Sequence, residues 1–180
     1  MVKRRSGRRG AVLVEFSLVG VVLIFTSICL FQMGMAAWRY HTLQYAVKVA
    51  SAYMSIHGPN CSLGSNTCSI TIENAAQVLQ NAAVGIPPST ISVTFTPYKS
   101  DHVTAAGGSY PVTCTLNNCL TNATAFPPSG ICGTTFPYCD IRITASITVT
   151  PLMELMVPYA GSVHYATYTF TSDTQQPVTF

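Results

Sequence analysis

Apolar residues follow two different patterns along the first third of the chain. No residue from Phe16 to Trp38 is charged, and these 23 positions would cross the roughly 30 Å hydrocarbon core of a bilayer as a helix. Residues 39–57 are instead amphipathic at helical spacing. The apolar face comprises Leu43, Ala46, Val47, Ala50, Tyr53 and Met54, and the polar face comprises His41, Gln44, Lys48, Ser51 and Ser55. Because "HGPN" at 57–60 is the first breaker, one helix is predicted over about residues 12–56.

The remaining pattern predicts a small sheet. "TIENAAQVLQNAAVG" indicates a helix capped by Thr71 that closes at Gly85. Alternating apolar positions predict strands in "TISVTFTPY", "DIRITASITVT" and "SVHYATYTFT". A short edge strand is expected around "YPVTCTL", and the last residues, "DTQQPVTF", are expected to be flexible. The predicted fold class is α+β, a long N-terminal helix packed on a small antiparallel sheet with disulfide-tied loops.

Charge adds an orientation to this picture. Only 8% of the 180 residues are charged, against about 25% in soluble domains. Five of the nine basic residues lie in the first nine positions, before the apolar run. Basic flanks are retained in the cytoplasm, so the chain beyond about residue 40 should be exported. A nucleic-acid partner is not expected, because only four basic residues follow Gly10, against six acidic ones, and such a partner would need a basic face on the folded part.

Six cysteines fall in the region predicted to be exported, where oxidising conditions favour disulfides. The loops "CSLGSNTC", "CTLNNC" and "CGTTFPYC" suggest three local pairings, although fifteen connectivities are formally possible. Zinc is the alternative, and the lack of C-x-x-C spacing disfavours it. Cys29, alone in the apolar run, is interpreted as a small buried residue. The six are Cys61, Cys68, Cys114, Cys119, Cys132 and Cys139.

Catalytic chemistry has little support in the sequence. The four histidines are scattered, and neither H-E-x-x-H nor G-x-S-x-G occurs. We therefore expect no enzyme activity, no catalytic residue, no metal site and no cofactor.

The N-terminal region resembles a known family. Arg9, Gly10, Ala11, Val14, Glu15 and Phe16, then the apolar run and "WRYHTLQYAVKVASAY", are similar to the TadE-like minor pseudopilins of the Tad (tight adherence) pilus, relatives of type IV pilins. The resemblance covers about residues 8–53. Many members have a proline about six residues after the glutamate, where this chain has Val21, so the local helix kink of those members is not expected here.

The resemblance implies a pilin-like life cycle. A prepilin-type peptidase would cut between Gly10 and Ala11, removing a basic leader at 1–10. Residues 11–38 would then form the transmembrane helix, 39–57 its amphipathic stalk, and 58–180 the exported α+β domain. The implied partners are this peptidase, membrane lipid, an inner-membrane assembly platform, and other pilins or pseudopilins bound through the N-terminal helix. The implied location is the cytoplasmic membrane, single-pass, with the exported domain reaching the extracellular pilus after processing.

Glu15 and Phe16 are the predicted assembly residues. A carboxylate near the bilayer centre costs about 2.5 to 3.5 kcal/mol, so Glu15 should have a partner. Three alternatives stay open: Glu15 snorkels at the start of an ordinary signal anchor, the helix is a removable secretory signal peptide, or the chain is an uncleaved, permanently membrane-anchored exported binding domain.

Overall fold

A computed structural model of the chain describes residues 8–57, 62–63, 66–67, 70–99, 110–128, 139–150 and 167–178. The chain divides into two compact units, Met1–Ala37 and Trp38–Phe180. The helices are α1 (Arg8–Ser55), α2 (Ile72–Ala82) and α3 (Leu116–Cys119), with a 3₁₀ turn at Pro88–Thr90. The strands are β1 (Ser62–Leu63), β2 (Asn66–Thr67), β3 (Ile91–Lys99), β4 (Val112–Thr115), β5 (Cys139–Val149) and β6 (Tyr168–Pro177). The fold is α+β, as the sequence predicts.

The second half of α1 buries the predicted apolar stripe. Leu43, Ala46, Val47, Ala50 and Met54 are fully buried in the core of the second unit. The assignment of Ser51 to the polar face is wrong, because this residue is also fully buried. Its hydroxyl donates to the Lys48 carbonyl oxygen at 2.9 Å, and a satisfied hydroxyl can be buried at little cost.

A four-stranded antiparallel sheet forms the other side of this core. Its strand order is β4-β3-β5-β6, and the register pairs Val93 with Ala145 and Phe95 with Ile143. Side chains alternate between the two faces of a strand, so the odd-numbered residues of β5 from Cys139 to Ile147 are buried. Each fully buried Ile or Phe contributes about 1.5 to 3 kcal/mol relative to exposure.

Helix α2 begins at the predicted Thr71 cap and ends at Ala82, three residues before the predicted closing residue Gly85. Thr71 is its N-cap, and a capping box joins Thr71 to Asn74. Ile72, Ala75, Ala76 and Leu79 form its buried face. After the helix, Gly85 adopts φ +79° and lies against the Trp38 ring, so that a Cβ here would lie 3.1 Å from Trp38 Cζ3 and closer still to Cη2. The glycine therefore serves both a left-handed backbone and a close contact.

The predicted edge strand is confirmed as β4, and it continues into α3, which the sequence pattern did not reveal. A disulfide joins Cys114 of β4 to Cys119 of α3, with Cα atoms 5.6 Å apart. Beyond α3, the Phe126 ring is fully buried and packs at 5.6 Å from the Phe95 ring and 5.8 Å from the Tyr110 ring. This segment thereby extends the core past the edge of the sheet.

The C-terminal segment differs from the expectation. Part of "DTQQPVTF" is not flexible, because residues 173–177 belong to β6 and the Val178 amide donates to the Cys139 carbonyl oxygen at 2.8 Å. Polar pairs across the strands account for the order: Arg142 Nε donates to Asp173 Oδ2 at 2.6 Å, and Gln175 Nε2 donates to Asp140 Oδ2 at 2.8 Å. Hydrogen bonds to Tyr98 and Asp173 raise the pKa of Arg142. The first part of the predicted third strand, residues 162–166, lies outside the described residues.

Alkaline pH should weaken the second unit through Tyr110. Its hydroxyl donates to the Ala125 carbonyl oxygen at 2.6 Å, and burial raises its pKa above the usual 10.0. The unfolded chain then loses this proton at a lower pH than the folded chain does, so the contribution is present below pH 10 and is lost as the pH rises through the folded pKa. Denaturant unfolding at stepped pH should show a smaller alkaline loss for Tyr110→Phe than for the natural protein. An equal loss in both proteins would contradict this, and Tyr168→Phe is the control at an exposed tyrosine.

Gly85→Ala should destabilise the second unit. The left-handed conformation alone costs a residue with a Cβ about 1 to 2 kcal/mol, and the overlap with Trp38 adds to this cost. Denaturant unfolding followed by the emission of Trp38, the single tryptophan, measures the loss. Val84→Ala is the matched control, since Val84 is exposed, and similar losses for both variants would refute the contact.

Candidate functional site

The predicted cleavage and assembly residues lie in the first turns of α1. The helix begins at Arg8, so the backbone of Gly10 and Ala11 is already helical. Gly10 is exposed, and a Cβ added there would meet nothing within 4 Å. Phe16 is 79% exposed. Within the described part of the chain, the exposed Glu15 side chain forms no hydrogen bond or ion pair. The structure places these residues on one accessible helix and does not supply a partner for the carboxylate.

The hydroxyl groups of the apolar run are satisfied by the helix itself. Ser17, Thr26 and Ser27 each donate to the carbonyl oxygen four residues earlier, at 2.8, 2.7 and 2.8 Å. Such bonds allow a hydroxyl to lie in hydrocarbon without an external partner. A carboxylate carries charge and has no proton to donate to these carbonyl groups, so Glu15 stays the polar group that needs an outside partner.

Gln32 is a second polar group that the sequence reasoning missed. Its Nε2 is shielded from solvent and has no hydrogen-bond partner among the described residues. The sequence itself indicates this residue, because Gln32 is the single amide side chain between Phe16 and Trp38. Packing of α1 against other helices would give this amide a partner as well.

Between Val12 and Ala37 the surface of α1 is mostly apolar around the whole helix. Its exposed side chains include Val12, Leu13, Phe16, Leu18, Leu23, Ile24 and Leu30. Cys29 is also exposed and free, so the interpretation of Cys29 as buried is wrong for the isolated chain. In the described part of the chain one helix, Val12–Ser55, is long and apolar enough to cross a membrane. A helix that is apolar all round is stable in lipid or among other apolar helices.

Most of α1 matches a known protein family. Residues 10–51 match the model of the TadE-like protein family. The N-terminal helix is TadE-like. No curated protein and no solved structure matches the chain. The TadE-like segment contains Gly10, Glu15 and Phe16 and continues into the buried stripe of α1. The matched segment lies within the helix that is long and apolar enough to cross a membrane.

The cysteines support an oxidised domain after the TadE-like segment. Cys114–Cys119 is one of the three local pairs that the spacing suggests, and Cys139 is also disulfide-bonded. Cys61, Cys68 and Cys132 lie outside the described residues. Among the residues that the structure describes, no three His, Cys, Asp or Glu side chains are grouped so that they could hold a metal ion.

In the alternative of a membrane-anchored binding domain, the outer face of the sheet is the surface at which a ligand would bind. The register aligns Thr113, Thr94, Thr144 and Asp173 across the four strands. Thr94 and Thr113 share a hydrogen bond of 3.0 Å between their Oγ1 atoms, and Arg142 is paired with Asp173. These groups satisfy one another, so this face has the character of a solvated polar surface.

Proposed function

We propose that this protein is a minor pseudopilin of a Tad-type adherence pilus. A prepilin-type peptidase cuts it after Gly10, and the subunit is then incorporated at low copy into the pilus or used to initiate it. Glu15 carries this proposal, because it is a carboxylate without a partner among the described residues, on a mostly apolar, exposed helix inside the segment that matches the TadE-like family. The role is structural, and the chain is a substrate of the peptidase.

The proposed orientation is single-pass, with the N-terminus in the cytoplasm. The basic residues before Gly10 favour retention of that end. The Cys114–Cys119 disulfide supports export of the second unit, because such bonds persist in oxidising compartments. The proposed site of cleavage is therefore next to the cytoplasmic headgroups.

Cleavage would create a partner for Glu15. A new N-terminus at Ala11 carries an α-amine with a reference pKa of about 7.7 to 8, so it is positive at neutral pH. In an assembly of parallel helices, this amine can pair with Glu15 of a neighbouring subunit. An ion pair in low dielectric is directional, and loss of one partner costs about 3 to 5 kcal/mol. The pair would thus fix the axial register between subunits, with inner-membrane platform proteins and other pilins as partners.

The first test is the N-terminus of the protein isolated from its native host. Intact-mass measurement should give a chain that begins at Ala11, and Gly10→Leu should leave the leader attached. The structure makes this substitution informative, because the space around Gly10 tolerates a side chain and a processing defect would report on peptidase recognition.

Gly20→Leu is the matched control for Gly10→Leu. It places the same side chain at another α1 glycine with nothing within 4 Å of the added Cβ, and it should be processed normally. A mature chain that retains Met1, or one cut near Ala37, would refute the pseudopilin proposal and favour the uncleaved binding domain or a secretory signal peptide.

The second test removes the charge of Glu15. Glu15→Leu should insert and be processed normally, but its recovery in sheared pili should fall steeply, because the Ala11 amine of the neighbouring subunit would be left as an unpaired buried charge, which costs about 3 to 5 kcal/mol. Quantitative immunoblots of the pilus and membrane fractions measure this ratio.

Ser17→Ala controls for a polar-to-apolar change close by. The Ser17 hydroxyl already bonds to Leu13, so this variant should assemble like the natural protein. Normal recovery of Glu15→Leu in pili would eliminate the register role of Glu15 while leaving the processing prediction intact.

A further inference from the structure

One end of the second unit carries a collar of large side chains around the residues of α1 that follow Ala37. The Trp38 ring contacts Gly85, which brings the turn between α2 and β3 beside it. The Tyr40 ring lies 5.6 Å from the Phe170 ring, which brings the start of β6 to the same level of the helix. We define the Trp38 collar as Trp38, Tyr40, Val84, Tyr168 and Phe170.

The outer members of the Trp38 collar are open to solvent in the isolated chain. Val84 is 66% exposed, Tyr168 is 60% exposed and Trp38 is 45% exposed. These three side chains come from three separate elements: α1, the turn after α2, and the first residue of β6. None of these three side chains belongs to the buried core of the unit. They form an apolar and aromatic surface that is available to a partner outside the chain.

The described acidic residues lie away from this end. In the described part of the second unit, Glu73 lies at the opposite end of α2 from Val84. Asp140, Arg142 and Asp173 lie on the half of the sheet away from Tyr168. Arg39 follows Trp38 directly, and its Nε is shielded from solvent with no hydrogen-bond partner among the described residues. The described collar end thus combines aromatic and apolar side chains with one arginine and no described acidic group.

We propose that the Trp38 collar rests on the bilayer surface, with the lipid headgroups and upper acyl chains of the leaflet on the exported side as its partner. This inference rests on the proposed membrane anchoring. Trp38 is the last residue of the uncharged run, so the chain leaves the hydrocarbon at the level of the collar. Tryptophan and tyrosine are enriched at this interface, and an arginine there extends its guanidinium to lipid phosphates. The second unit is then held on the membrane at two further points, Val84 and Tyr168, until assembly withdraws it.

The single tryptophan makes the collar directly testable. The full chain is placed, at one copy per disc, in phosphatidylcholine nanodiscs whose lipids carry bromine on the upper acyl carbons, which quench tryptophan on contact. The natural protein reports on Trp38. Trp38→Phe combined with Val84→Trp moves the single tryptophan to the turn, and emission at both positions should be strongly reduced relative to unbrominated discs.

Ile56→Trp in the Trp38→Phe background is the matched control. Ile56 is apolar and 52% exposed, but it follows the end of α1, about 25 Å along the helix from Trp38, and its emission should be unaffected. Quenching at Val84→Trp no stronger than at Ile56→Trp would overturn the proposal. If Trp38 is quenched while Val84→Trp is not, anchoring stands and the collar contact fails. If Trp38 itself is unquenched, the anchoring fails.

A second measurement avoids substitutions that could disturb the contact between Trp38 and Gly85. The natural protein in nanodiscs containing a headgroup-diazirine lipid is irradiated and mapped by mass spectrometry. Lipid adducts are expected on peptides that contain Val84 and Tyr168 and not on the peptide that contains Ile56. Adducts confined to peptides before Trp38 would overturn the proposal. Shielding of Val84 from solvent that occurs only when several copies share a disc would also overturn the proposal, because the turn would then contact another subunit and not lipid.

Discussion

Helix α1 has to satisfy two different environments, and the rest of the structure depends on where it changes from one to the other. Between Val12 and Ala37 most of its side chains are apolar and exposed, whereas from Leu43 onward one stripe is fully buried. The first pattern requires lipid or other helices. The second requires a sheet that supplies a matching apolar face, and β3 and β5 supply it through Val93, Phe95 and Ile143. The fold of the second unit is therefore built on the end of the same long helix whose first part is apolar.

A core that covers one face of a four-stranded sheet is small, and other interactions complete it. The Cys114–Cys119 disulfide closes a short loop, for which loss of chain entropy in the unfolded state predicts about 2 kcal/mol of stabilisation. It fixes the edge strand β4 to α3, so that Phe126 can pack on Phe95 at the sheet margin. At the other margin, the pair of Arg142 and Asp173 joins β5 to β6 where the outer face offers little apolar area.

Local patterns account for the parts of the structure that the sequence predicted. The stripe of α1, the Thr71 cap of α2 and the alternation of β3 and β5 each depend on residues that are near one another in the chain. The misses depend on partners that are distant. Ser51 is buried because of what packs over it, and residues 173–177 form a strand because Asp173 and Gln175 meet Arg142 and Asp140. Similarly, the motif around Gly10 and Glu15 is local, whereas the contact between Trp38 and Gly85 joins residues 47 positions apart and no pattern in either segment indicates it.

The polar groups of α1 explain why one carboxylate can matter in a helix otherwise suited to lipid. Packing between smooth apolar helices gives many axial registers similar energies, because dispersion contacts are individually weak. The hydroxyls of Ser17, Thr26 and Ser27 do not change this, since their bonds lie within their own helix. The Glu15 carboxylate has no proton with which to form such a bond within its own helix. An axial register that places a cation beside Glu15 is therefore favoured over registers that do not. A hydrogen-bond partner for the Gln32 amide would also favour one axial register, at a position farther along the helix. Its contribution would be smaller than that of Glu15, because the amide carries no charge. The specificity of assembly can thus reside in two polar side chains while the apolar surface supplies the bulk of the contact.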